Sequence, residues 1–170
     1  MAMYGAAVVA IAALGVRVMA AENAEFQDAF KKLFAASKED FKGATDGKAE
    51  VTDDGDQLFD SAIELPGVKR AKIWLYKDPT LAPSYRSKFL IDGKDKDKAE
   101  AIYKDLTANV KAALPDSWEM EEYTVADRHM EGMEALYYPS QDDRSVTVNM
   151  KRDRKTNLYT ISLVIDAKDR

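Results

Sequence analysis

Four carboxylates stand close together in residues 119–127: Glu119, Glu121, Glu122 and Asp127. Two carboxylates held in different environments can divide acid and base work between them. A hydrolase built this way needs a cleft joining at least two of Glu119, Glu121 and Asp127. Strand alternation sends Glu122 to the face opposite Glu119 and Glu121, and a charged strand face is most often simply solvated. His129 is the only histidine. A triad or a zinc centre needs further partners in defined geometry. Among Asp127, Arg128 and Glu131, a lone histidine reads as a surface residue.

The acidic runs give no clearer chemistry. Asp53-Asp54-Gly55-Asp56 lacks the further oxygen ligands of a calcium loop and reads as a solvated turn. Residues 92–97 resemble a cation loop but lack the glycine and the acid at the positions such a loop requires. That stretch reads instead as helix initiation, with Asp97 as N-cap and Glu100 three residues on. There is no cysteine, which excludes disulfides, thiolate nucleophiles and Cys-based metal sites. No phosphate loop, dinucleotide fingerprint or nucleophile elbow occurs. The sequence therefore leads us to expect no enzyme activity, no cofactor and no metal.

Binding is better represented. Arg70, Lys72, Trp74 and Tyr76 share one strand parity, and Arg86 and Lys88 share the same outward parity on the next predicted strand. Arginine beside aromatic rings is what interface hot spots favour. The plainer reading has long basic side chains covering an exposed aromatic face. A second basic group, Lys151, Arg152, Arg154 and Lys155, falls on a predicted hairpin tip. It suits anionic headgroups or an acidic partner, or it is a solvated turn. The net charge of −5 argues against nucleic acid as a partner.

The elements that must position these residues follow from periodicity. Phe26, Phe30, Leu33, Phe34 and Phe41 form one apolar stripe of an amphipathic helix over residues 22–41, ended by Gly43 and Gly47. Strands are predicted over 59–65, 71–76 and 85–91, with Pro66-Gly67 turning between the first two. A second amphipathic helix over 97–114 buries Ala99, Ile102, Tyr103, Leu106, Val110 and Ala113, and Pro115 stops it. Residues 118–123, 134–138, 145–150 and 157–165 give four more strands, with 126–132 irregular. The expectation is an α+β domain over 22–170: a largely antiparallel sheet of about seven strands packed against two amphipathic helices. A helix followed by a meander, twice over, hints at a duplication.

Residues 1–21 differ from all of this. Only Arg17 is charged, and Tyr4, Val8, Val9, Ile11 and Leu14 are typical of an apolar helix. A membrane span needs roughly 20 apolar residues, which the segment reaches if Arg17 snorkels to the headgroups. A retained signal-anchor is the reading adopted. The alternative is a cleaved signal ending in the small residues before Glu22. No later stretch is long enough for a second span. Together these features predict a non-catalytic accessory subunit, anchored in the membrane with its α+β domain extracytoplasmic (periplasmic) and in contact with other protein subunits. The competing prediction is a soluble periplasmic or secreted module, which would bind a small ligand between the sheet and the phenylalanine-rich helix.

Overall fold

Phenylalanine spacing builds the first helix. In the computed structural model, which describes residues 23–139 and 143–168, helix α1 spans 23–36. Phe26, Phe30, Leu33 and Phe34 are all buried along one side. The helix stops before its predicted end. A 3-10 turn, Ser37–Glu39, closes it, and Asp40 and Phe41 take left-handed φ of 55° and 59°. The Phe41 amide donates to the Ala36 carbonyl at 2.9 Å, so Phe41 enters the core from the turn rather than from the helix.

The sequence predicts seven strands; the sheet has eight, all antiparallel, in the order β1-β2-β3-β4-β8-β7-β6-β5. They are β1 Thr45–Val51, β2 Gln57–Ser61, β3 Arg70–Leu75, β4 Ser84–Gly93, β5 Trp118–Ala126, β6 Met130–Pro139, β7 Ser145–Asp153 and β8 Tyr159–Asp166. The unpredicted strand is β1. It lies at the sheet edge with no buried residue, so it carries no hydrophobic alternation to read. Residues 126–132, predicted irregular, are largely strand: β5 and β6 pair from Trp118↔Pro139 to Ala126↔Glu131.

Helix α2, Lys96–Ala113, crosses between the two halves. Its N-cap is Asp95, not Asp97: the Asp95 carboxylate accepts the Lys98 amide at 3.0 Å. Each half is thus one helix and a four-stranded meander, and the halves join at the β4–β8 pair. The topology repeats itself about that pair.

Both helices cover one face of the sheet. Ile73, Tyr85, Val146, Val148, Ile161, Leu163 and Ile165 are fully buried there. The Tyr137 hydroxyl donates to the Thr107 carbonyl of α2 at 2.8 Å, and Phe26 and Phe34 of α1 pack on Phe89 and Trp118. Among the described residues nothing covers the opposite face. The apolar segment 1–21 lies outside the described residues, and within them no helix is long and apolar enough to cross a membrane.

Candidate functional site

The uncovered face holds the basic and aromatic residues that the sequence grouped. On β3 and β4, antiparallel register sets Arg70 opposite Lys88, Lys72 opposite Arg86 and Trp74 opposite Ser84. Strand β8 lies next, with Val164 opposite Arg86 and Ser162 opposite Lys88. Beyond it, β7 sets Asn149 opposite Ser162. Residues opposite one another share a face, so these side chains converge on one side. They line an open trough of about 420 Å³ whose charged residues are Arg70, Lys72, Arg86, Lys88 and Lys151. No carboxylate lines it. Leu58, Trp74 and Val164 give it an apolar component.

The five cations are held differently. Lys72 is engaged from the flank, its Nζ 2.9 Å from Glu50 Oε1 and 3.1 Å from Asp60 Oδ1. These hydrogen bonds, Glu50 first and then Asp60, push the lysine above its ordinary pKa. Arg86 lies 5.0 Å from the centre of the Trp74 ring and 5.8 Å from that of Tyr76. Its Nε donates to Ser84 Oγ at 3.1 Å, and Nη2 donates to the Tyr76 hydroxyl. Cation–π stacking and two hydrogen bonds fix that guanidinium as a wall. Arg70, Lys88 and Lys151 have no ion pair among the described residues. Like charges directly across a strand pair oppose folding, so the Arg70–Lys88 pair does not serve the sheet.

Asn149 was not among the residues the sequence singled out. It is only 6% exposed, lines the same trough, and its buried Oδ1 lacks a hydrogen-bond partner. A buried amide oxygen left unpaired costs about 1–3 kcal/mol. No sequence signal marks it, because it occupies the outward parity of an ordinary alternating strand.

The hairpin group divides. Lys151 joins the trough, while Arg152 takes the other strand parity and pairs with Glu131. Arg154 Nε also lies 3.3 Å from Glu131 Oε2, and Lys155 sits exposed in the turn. Arg152, Arg154 and Lys155 therefore lie apart from the trough, and of the four residues that the sequence grouped at the hairpin tip only Lys151 lines it.

Glu119 and Glu121 share the exposed face of β5 beside Tyr138, and the other two carboxylates lie elsewhere. Glu122 points to the helix face, as alternation requires, and accepts the Tyr103 hydroxyl at 2.9 Å. Glu121 accepts the Tyr138 hydroxyl at 2.7 Å, and this bond pushes that phenol up to about 12. Asp127 caps the β5–β6 turn, accepting the amides of Met130 at 2.7 Å and His129 at 2.6 Å. Those two bonds hold its carboxyl below the usual range. Asp127 is six positions along the chain from Glu121, about 20 Å of extended backbone, and Glu119, Glu121 and Asp127 are all exposed. No group of three or more potential metal ligands occurs among the described residues.

Two further features stand apart from these groups. Arg144 is a buried cation, 6% exposed, at the C-terminal end of α1. A groove of about 600 Å³ opens where α1, α2 and the 66–69 loop meet, with Phe26, Phe89, Ile102 and Leu106 beside Asn23, Lys98, Asp105 and Asn109. No family model matches the chain, and no curated protein or solved structure is significantly similar to it.

Proposed function

We propose that this protein is a membrane-tethered accessory subunit whose domain docks another protein through the uncovered face of its sheet. The observation that supports it is the asymmetry of that sheet: one face is sealed by two helices, while the other exposes a basic trough beside Trp74 and Tyr76, with Arg86 over both rings. An arginine held rigid on aromatic rings loses little entropy on binding, as an interface anchor should. Residues 1–21 would supply the tether, with the domain extracytoplasmic. The test is photo-cross-linking in native membranes from a probe at Arg86, with Lys155 as control. A defined partner cross-linked from Arg86 and not from Lys155 is expected. A monomeric full-length protein, soluble without detergent and giving no cross-link, would refute the reading.

A second reading has its own observation. The groove between α1 and α2 combines apolar walls with convergent polar groups, which suits a small ligand. On this reading the lead is removed and the domain is a secreted or periplasmic binding module. Intact mass separates the two, since a chain beginning near Glu22 in the soluble fraction supports the second.

A further inference from the structure

The trough carries two kinds of unmet demand, and together they specify an occupant. Arg70, Lys88 and Lys151 are cations without an ion pair among the described residues, on strands β3, β4 and β7. Strands lie about 4.8 Å apart, so these charges spread over roughly 10–15 Å of sheet. That span exceeds a single small anion and suits several acidic groups along an extended chain. The second demand is Asn149, whose buried Oδ1 is an acceptor without a donor. A bare polyanion such as a phosphate chain satisfies the cations and offers nothing to that oxygen. A peptide supplies both, since its acidic side chains pair with the bases and a backbone N–H can meet the amide oxygen once the Asn149 side chain turns toward the trough. Leu58, Trp74 and Val164 leave room for one apolar side chain among the charges.

We infer that the trough binds an acidic, extended peptide segment of the partner protein, its carboxylates on Arg70, Lys88 and Lys151 and a backbone N–H on Asn149. This rests on the docking function proposed above and names the chemistry the partner must present. Lys72 is already neutralised by Glu50 and Asp60, so it does not discriminate among ligands. Arg86 acts as the rigid end wall. Charge complementarity supports the choice, because an otherwise acidic chain gathers five cations in one hollow without a lining carboxylate.

The probes are a capped octapeptide of alternating Glu and Val, its Lys–Val counterpart, and tripolyphosphate, each titrated calorimetrically into the full-length protein at low salt. The Glu–Val peptide should bind and the Lys–Val peptide should not. The affinity should fall with added salt. Arg70→Ala and Lys88→Ala should each weaken the Glu–Val peptide about 2- to 5-fold. Asn149→Ser should weaken the peptide without changing tripolyphosphate binding, and Arg154→Ala should change neither. If tripolyphosphate binds as tightly as the peptide and Asn149→Ser affects neither, the trough is a general polyanion site and the inference fails. Absence of peptide binding also overturns it. Should the Arg86 cross-link to a partner persist in that case, the docking function stands and only the acidic-peptide assignment is lost. Circular dichroism of each variant excludes unfolding as the cause.

Discussion

Arg144 is the residue whose role departs furthest from its type. Its Nη1 donates to the Phe34 carbonyl at 3.2 Å, and its guanidinium lies 4.2 Å from the Phe34 ring centre and 5.9 Å from that of Trp118. A cation at a helix C-terminus meets the negative end of the dipole, and planar stacking suits arginine better than lysine. Arg144→Ala is therefore expected to destabilise the domain by about 1.5–3 kcal/mol, the range for a charge-assisted hydrogen bond, as read from urea unfolding. Arg144→Lys should recover less than half of that. A change within about 0.5 kcal/mol would make the contact incidental. Gly132 shows the opposite constraint, a residue defined by what it lacks. A Cβ there would stand 1.9 Å from the Met150 carbonyl oxygen on the neighbouring strand. Backbone cannot yield as a flexible side chain does, so Gly132→Ala should cost about 1–3 kcal/mol. Thermal unfolding would show it, and an unchanged midpoint would mean that the β6–β7 pairing can shift aside.

The helices and central strands were legible because burial imposes a period on them; the edge strand β1 was not, because hydrogen bonding alone imposes none. Strand β8 alternates Tyr159, Ile161, Leu163 and Ile165 into the core, and the sequence shows this directly. Strand β1 pairs with β2 through its backbone while its side chains remain in or near solvent, so its residues read as a loop. Strand β2 runs Gln57–Ser61, earlier than predicted; Leu65 is buried without belonging to it, which drew the predicted strand toward its own position. Helix termini turn on single hydrogen bonds, and there periodicity is silent. Asp97 and Asp95 are both plausible caps by composition, and only the Asp95 carboxylate meets an orphan amide. Asp95→Ala should then cost about 1 kcal/mol. Asp97→Ala removes a favourable charge from the first turn and should cost about 0.3–1 kcal/mol at low salt, less as salt rises. Chemical denaturation of both variants at high salt discriminates, and equal losses there would reject the assignment of Asp95.

At the scale of the whole molecule, the trough exists because β8 inserts between β4 and β7. Lys88 and Lys151 lie far apart in sequence, and no local pattern announces that they share a hollow. Arg70 with Lys88 was legible from adjacent strands; Lys151 and Asn149 depended on the return of the second meander. The same closure buries tyrosines between helices and sheet. Burial pushes both Tyr85 and Tyr137 up to about 12. Tyr103 is raised too, by burial first and then by its bond to Glu122. An unfolded tyrosine ionises near 10. Below that pH both states hold the phenolic proton, and stability is unaffected by it. Between about 10 and 12 the unfolded chain releases protons that the native fold retains, so stability falls with rising pH by about 1.4 kcal/mol per unit for each such tyrosine. Urea midpoints at pH 9, 10 and 11 should therefore hold steady to 10 and then drop steeply. Absorbance at 295 nm should show exposed phenols ionising first while Tyr85 and Tyr137 remain protonated until the domain opens. Tyr85→Phe removes one titrating group and should flatten the decline above pH 10. A midpoint that stays level from 9 to 11, or a decline unaltered by Tyr85→Phe, would show that these phenols do not couple proton release to unfolding of the helix–sheet core.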